Sequence, residues 1–275
     1  MIRRICLLAN PDRPDAIRLA STAESYLNAH GIDCIFPESG SEILNSPAEI
    51  ILTFGGDGTL LIGARYAMKY HIPLMGFNLG TTGFLTEEEP ERLKEALDKI
   101  LAGSYETEER MLLDITNAKT GEHFSALNDA VITRGGYARL IRVECTVSGE
   151  AFGTFTSDGM IAATPTGSTG YSLSAGGPIV EPSMRCIVLT PVCAHSLQQC
   201  PCVVSDGSEI RFRLQKERNQ TAELQIDGMN RGTLEAGDEI IVTGSADTVR
   251  LIRLHPYHFY SLLHVKLREW GSNHE

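Results

Sequence analysis

Glu49-Ile50-Ile51-Leu52-Thr53-Phe54-Gly55-Gly56-Asp57-Gly58-Thr59 is the stretch on which the reading of this chain turns. Residues 49–54 form a short apolar run with strand character, and three glycines within four positions follow at once. Residues 59–70 then have helical composition. A strand running through a glycine turn into a helix is the unit of a parallel α/β sheet.

The same alternation holds on both sides of it. Residues 4–9 are an apolar run, and residues 15–29 carry Ile17, Ala20, Ala23 and Leu27 on one helical face, ended by Gly31. Residues 32–36 are predicted as a second strand, 49–54 as a third and 73–77 as a fourth. Residues 90–101 are predicted as a helix with Pro90 in its first turn. Ligands of such sheets bind beyond the carboxyl ends of the strands. Both the Gly55 loop and the loop over residues 78–87 fall at that edge.

After about residue 104 the texture changes. Short β-branched runs recur at 112–116, 130–133, 141–147, 160–163, 186–190, 209–214, 223–226, 239–242 and 249–254. Turn residues such as Ser148-Gly149, Asp206-Gly207 and Ala236-Gly237-Asp238 separate them, which predicts a mainly antiparallel β domain, a sandwich or open barrel. Residues 257–270 return to helical spacing, with Phe259, Leu262, Leu263, Leu267 and Trp270 apolar, and are expected to pack back on the rest. The expected partition is an α/β domain over 1–103, a β domain over 104–255 and a returning helix over 256–275.

Composition limits the partners. The 275 residues favour two domains, and the net charge of −11 argues against duplex nucleic acid or an anionic membrane, because counterion release needs clustered Lys and Arg. No stretch is apolar for long enough to span a bilayer, and residues 1–10 are too short a run for a signal peptide. Seven cysteines, odd in number and scattered through apolar stretches, predict reduced thiols and a cytoplasmic location. Cys200-Pro201-Cys202 has the form of half a metal site, but no second Cys or His cluster at ligand spacing completes it, so buried or half-buried thiols are the better reading and no dedicated protein-only metal site is expected.

Three segments carry chemistry. The glycines of residues 55–58 let a bulky anion approach the main chain, while the following helix offers its N-terminal N–H groups to phosphate. Asp57 lies within that cradle, where a carboxylate beside phosphate requires a magnesium ion, a substrate proton or both. A lone Asp-Gly more often marks a tight turn or an N-cap, and this segment alone fits either reading. Residues 158–178 read Asp-Gly-Met-Ile-Ala-Ala-Thr-Pro-Thr-Gly-Ser-Thr-Gly-Tyr-Ser-Leu-Ser-Ala-Gly-Gly-Pro, with six hydroxyls from Thr166 to Ser174. So many small polar groups make poor core and a good ligand wall. Asn128-Asp129 places an amide beside a carboxylate, a pair suited to adenine edges or ribose diols, although by itself such a pair more often marks a turn.

With these motifs in hand the chain resembles the NAD kinase family, over nearly its whole length: the Gly55 loop, residues 78–87, Asn128-Asp129, residues 158–178, Thr190-Pro191 with His195-Ser196-Leu197, and Asp227-Gly228. The Gly-Gly-Asp-Gly-Thr motif is shared with lipid kinases and sugar-phosphate kinases, whereas the long 158–178 segment is far more specific. The resemblance implies a Rossmann-like N-terminal α/β domain, a β-sandwich C-terminal domain that binds NAD, and a C-terminal helix returning to the first domain. It implies transfer of the γ-phosphoryl of ATP, or of polyphosphate, to the 2′-hydroxyl of the adenosine ribose of NAD, with Mg2+ accompanying the donor phosphates near Asp57. NAD or NADH as acceptor stays open, and Thr156 bears on that choice.

Carried over by position, Asp57 is the expected proton acceptor, with Gly56, Gly58 and Thr59 around the nucleotide phosphates and Phe84 against the adenosine. Asn128 and Asp129 are expected at the adenosine end, with Asp129 standing where the family often has Glu. Asp158 is expected near the nicotinamide end, and Thr166, Thr169, Gly170, Tyr171, Ser172 and Ser174 as the adenine-side wall. Arg139 and Thr156 occupy positions where family contacts to the second nucleoside vary. Met229 and Ala194 depart from the usual Gln and Pro. The resemblance also implies homodimers or homotetramers through the β domain, an arrangement in which a neighbouring chain can complete the site. A lipid kinase would need an apolar cavity or a basic patch, which the acidic charge disfavours. An NAD or NADP sensor would keep the Asn128 and Thr166 elements without needing Asp57.

Overall fold

The computed structural model describes residues 2–37, 44, 47–80, 83–135, 140–195, 200–215 and 221–272, the last four by backbone only. The chain forms two compact units, one of Met1–Glu109 with Val249–Glu275 and the other of Arg110–Thr248. The crossings between units fall inside strands, not in linkers.

In the first unit, β1 (Arg4–Ala9), α1 (Pro14–Ala29), β2 (Asp33–Ile35), β3 (Ile50–Gly55), α2 (Asp57–Tyr70), β4 (Leu74–Asn78) and α3 (Leu93–Leu101) follow in order. The strands run parallel in the order β2, β1, β3, β4, with Ile5 opposite Ile50 and Ile51 opposite Leu74. Every residue of β3 and β4 is buried, as the inner strands of a sheet covered on both faces should be. Their rings meet where Phe54 stacks on Phe77 at 5.2 Å.

Two helices differ in detail from the sequence reading. The buried face of α1 is Ala16, Ala20, Ala23 and Leu27, leaving Ile17 46% exposed. Spacings of four, three and four residues keep those positions on one stripe, and Ile17 lies about 100° away from Ala16 around the helix. Helix α2 starts at Asp57 rather than residue 59, because Gly56 is extended and serves as the N-cap. Asp57 is thereby the first helical residue, on the positive end of the helix dipole. The predicted helix over 90–101 divides into a 3-10 turn at Pro90–Arg92 and α3.

The second unit continues with β5 (Glu106–Asn117), β6 (His123–Ala126), β7 (Asp129–Thr133), β8 (Ile141–Val147), β9 (Glu150–Ser157), β10 (Gly159–Ala163), α4 (Tyr171–Ser174), β11 (Cys186–Val192), β12 (Cys202–Ser205), β13 (Ile210–Leu214), β14 (Thr221–Ile226), β15 (Met229–Glu235) and β16 (Glu239–Arg253). One antiparallel sheet has the order β12, β11, β10, β7, β14, β15; a second ladder joins β16, β13, β8 and β9. Ile132, Met160, Leu189 and Leu224 of the first share a core with Val143, Phe212 and Val242 of the second, so the unit is a sandwich.

The runs at 239–242 and 249–254 belong to one fifteen-residue strand. Small and polar residues over 243–247 interrupt the apolar pattern without interrupting the backbone; a Cβ on Gly244 would stand 2.6 Å from the Asp206 carbonyl, so glycine permits the close approach there. The sequence reading missed β9, β12 and β15, which are edge strands. Their burial is intermittent, and such strands carry little apolar signal.

The chain returns to the first unit through the end of β16, where Leu251 lies parallel beside Leu74 of β4, and through α5 (Phe259–Ser272). Phe259 is buried, whereas Leu267 is 48% exposed and Lys266 is buried in its place. Trp270 lies outside the described side chains. Among the described residues, no helix is long and apolar enough to cross a membrane.

Candidate active site

The carboxylate of Asp57 accepts three consecutive backbone N–H groups: Oδ2 from Phe84 at 2.8 Å, and Oδ1 from Leu85 at 3.2 Å and Thr86 at 3.3 Å. A carboxylate offers about four lone-pair positions, so among the described residues one remains, on Oδ2. The approach is close: a Cβ on Gly83 would collide with Asp57 Oδ1 and stand 2.6 Å from Thr86 Oγ1. Phe84 is 8% exposed, with its ring 6.4 Å from that of Phe259 and 5.9 Å from the Lys266 ammonium.

Beside the glycine loop lies a cavity of about 700 Å3, lined by Gly56, Gly58 and Thr59 and by residues from the ends of β1 and β2, including Asn10, Asp12 and Pro37. This is the carboxyl edge of the parallel strands, where the topology rule places a ligand. Adding a Cβ at Gly58 would meet nothing within 4 Å, leaving its main chain open. Thr59 is buried, and its side chain fills the space that a Gly55 side chain would need. Asn10 and Asp12 carried no motif of their own; their place after β1 was the available signal.

In the second unit the pivot is Asp227. Its Oδ2 accepts the Leu127 N–H at 2.9 Å, and its Oδ1 accepts those of Asn128 at 2.7 Å and Asp129 at 3.1 Å. Its own N–H returns to the Asp129 carbonyl. The Asn128 carbonyl receives the Thr164 N–H, and the carbonyl stands so close to Gly167 that a Cβ there would overlap it. Asn128 Oδ1 is buried without a hydrogen-bond partner, an orphan acceptor of the kind a ligand donor satisfies. Burial and the neighbouring Asp227 charge raise the Asp129 carboxyl to about 7.

The hydroxyl-rich segment divides into two kinds of residue. Ser168 and Ser172 are fully buried: Ser168 Oγ bonds the Pro165 and Val180 main chain, and Ser172 Oγ meets Thr190 Oγ1 at 2.8 Å. Thr166 Oγ1 receives buried Arg110 at 3.4 Å, and Thr169 Oγ1 donates to the Thr166 carbonyl. Tyr171 and Ser174 are exposed, and Gly170 closes the 3-10 turn before α4. The Tyr171 phenol is held above its usual range by burial and then by Cys193, Asp158 and Asp129, so those acids bear on it. Asp158 pairs with Arg134 at 2.9 Å.

Family models match at both ends of this arrangement: the ATP-NAD kinase N-terminal domain over residues 38–105 and the ATP-NAD kinase C-terminal domain over residues 127–254. The NAD kinase of Moorella thermoacetica is 39% identical over all of this chain and 92% of its own length. The chain belongs to the NAD kinase family. That of Trichlorobacter lovleyi is 42% identical over 82% of this chain and 80% of its own. Among solved structures, yeast NADH kinase complexed with NADH superposes with a TM-score of 0.81 at 26% identity, over 92% of this chain and 83% of that one. The NAD kinase from Archaeoglobus fulgidus in complex with ATP gives 0.77 at 27% identity, over 96% and 98%.

Of the positions expected to vary or to depart from the family pattern, Thr156 lies half-buried on β9 opposite Arg142, and its carbonyl receives the His195 N–H. Met229 is 39% exposed at the start of β15, and Ala194 is half-buried. Arg139 lies outside the described residues. Asp227, absent from the expected site residues although its Asp-Gly pair carried part of the resemblance, is what shapes the Asn128-Asp129 corner. Its partners lie about a hundred residues away, and no local pattern marks them.

Proposed function

We propose that the chain transfers the γ-phosphoryl group of ATP to the 2′-hydroxyl of the adenosine ribose of NAD, giving NADP, with Asp57 as the general base. The observation that carries this is the Asp57 carboxylate, oriented by three backbone N–H groups with one lone pair left over, in the loop that lines the adjacent cavity. A ribose hydroxyl is a poor nucleophile at neutral pH, so proton acceptance as the bond forms contributes roughly 10²–10⁴-fold. The remainder is positioning and charge neutralisation.

The main-chain N–H groups of Gly56 and Gly58 hold the donor phosphates, and Thr59, whose own N–H donates to the Gly56 carbonyl, lines the cavity. Mg2+ would be held by the donor phosphates and water near Asp57, whose remaining lone pair is kept for the hydroxyl proton. When bound, the ion neutralises charge on those phosphates. Asn128, with its orphan Oδ1, accepts from the adenosine end, and Asp129 supports it. Half-buried Asp158 serves the nicotinamide end, exposed Tyr171 belongs to the adenine-side wall, and Phe84 packs against the adenosine. Membership of the family also supports a cytoplasmic homodimer or homotetramer through the β unit, which sedimentation would read.

Incubation with NAD, ATP and Mg2+, with NADP read by an NADP-specific dehydrogenase, tests the reading. Asp57→Asn should lower turnover at least about a hundredfold while NAD binding persists. Near-normal turnover in that variant would sink the base assignment.

A further inference from the structure

The peptide units that hold Asp57 are themselves held from behind. In the unit joining residues 84 and 85, the Leu85 N–H donates to Asp57 Oδ1 while the Phe84 carbonyl accepts the Tyr257 hydroxyl at 3.4 Å. In the next, the Thr86 N–H donates to the same oxygen while the Leu85 carbonyl accepts Arg253 Nη1 at 3.5 Å. Each chain runs from a donor side chain, through one planar peptide, to the carboxylate. Hydrogen bonds in series through a peptide polarise one another.

Arg253 is fixed for this purpose. Its side chain is 5% exposed and that of Glu87 7%, with Nη1 to Glu87 Oε2 at 2.7 Å and Nε to Glu108 Oε2 at 2.8 Å. The other Glu87 oxygen accepts the N–H groups of Leu254 and His255 at 2.9 and 3.2 Å. The Glu87 N–H donates to the Gly76 carbonyl, tying the loop to β4. The guanidinium lies 4.2 Å from the Tyr257 ring centroid. Burial opposes its charge, and Glu108 and Glu87 outweigh that, so Arg253 is held above its usual range. Breaking such a buried pair is costly, whereas a surface pair is worth little.

We propose that Glu87, Arg253 and Tyr257 are positioning residues for Asp57, clamping the Phe84–Thr86 peptides so that the carboxylate faces the attacking hydroxyl. This rests on the reading of Asp57 as the proton acceptor. A carboxylate displaced by a fraction of an ångström loses the aligned geometry on which proton transfer depends, while the substrate contacts other than Phe84 lie outside the clamp.

The test uses the full chain with Glu87→Gln and, as the milder variant, Tyr257→Phe, which removes only the hydroxyl. Both are measured for kcat and for the KM of NAD and of ATP, and Glu87→Gln is also combined with Asp57→Asn. Glu87→Gln should lower kcat about tenfold and Tyr257→Phe about threefold, with each KM within about twofold of the parent. The double variant should be no slower than Asp57→Asn alone, since the clamp acts through Asp57. A slow Asp57→Asn beside folded clamp variants of parental kcat, or losses that add in the double variant, overturns the clamp alone. Near-normal turnover of Asp57→Asn overturns the base reading and the clamp with it. Should Glu87→Gln not fold, Tyr257→Phe decides by the same kcat and KM readings.

Discussion

Two aspartates, one in each unit, sit in the same backbone device and are put to different use. Asp57 takes the N–H groups of residues 84, 85 and 86; Asp227 takes those of 127, 128 and 129. Each precedes a glycine. Asp57 opens a helix, so its main chain is committed forward into α2 and its side chain reaches across to a separate loop. Asp227 lies in the left-handed region, with φ of 47°, in the turn between β14 and β15, and its N–H returns to the strand whose start its side chain caps. The first has a ligand-sized cavity beside its loop. The second has another carboxylate, Asp129. Three amides can therefore aim a carboxylate at chemistry or lock a corner of the chain, and the neighbouring groups decide which.

The sharpest way to break this contrast is to make the same substitution twice. Asp57→Asn should lose at least about a hundredfold in turnover, close to 3 kcal/mol of barrier, beside a stability loss of about 2 kcal/mol as its own amide cradle weakens. Asp227→Asn should show a similar stability loss of about 2 kcal/mol with kcat kept, because one N–H loses its acceptor to the new amide nitrogen and the other two bonds become neutral. Denaturant unfolding beside steady-state kinetics reads both. If the two variants lost turnover alike, Asp227 would belong to the chemistry and the distinction would fail.

Asp129 sharpens the comparison from the other side. Burial and the Asp227 charge keep its proton on to about pH 7, against the usual 3.8 that holds in the unfolded chain. Folding therefore takes up a proton between those values. The stability that this protonated form brings is complete below about pH 4 and is lost as pH rises through about 7. Asp129→Asn, which mimics the neutral acid, should lose that slope and gain on the parent through the same window, by on the order of 4 kcal/mol at most. Parallel stability curves for the two proteins from pH 4 to 7 would show that Asp129 is ionised in the folded state.

Much of this was legible in the sequence, and the remainder failed for identifiable reasons. A strand entering Gly55 and a helix placed from residue 59 located the carboxyl-edge loop, and the hydroxyls of residues 166–174 singled that segment out as a candidate wall. What each hydroxyl does was not legible: Ser172 and Ser168 face inward to other groups, while Tyr171 faces out, and a four-residue helix gives no period from which to tell them apart. The amide partners of Asp57 lie 27 to 29 residues downstream and those of Asp227 98 to 100 upstream. Backbone N–H groups have no residue type, so composition cannot show which of them a carboxylate will find. Arg253 and Glu87 look in sequence like surface charges at the ends of apolar runs, and only their mutual burial reveals them.

Within the comparison of the two aspartates, the smallest effect concerns Gly83, where a single methyl group probes how firmly Asp57 is held. The Cβ of Gly83→Ala would overlap Asp57 Oδ1 and press on Thr86 Oγ1. A long, flexible side chain would swing away at little cost, but Asp57 is short and bound through both oxygens to a loop that Glu87 in turn anchors to β4 and β16. The strain then has to be relieved by turning the carboxylate away from the amides or by lifting residues 84–86, and either one misaligns the base. A fall of about tenfold in kcat, near 1.4 kcal/mol, with both KM values held, is expected if the cradle is as rigid as its bonds indicate. Parental turnover in Gly83→Ala would mean that the amides follow the carboxylate freely, and the difference drawn between the two aspartates would then rest on their surroundings alone.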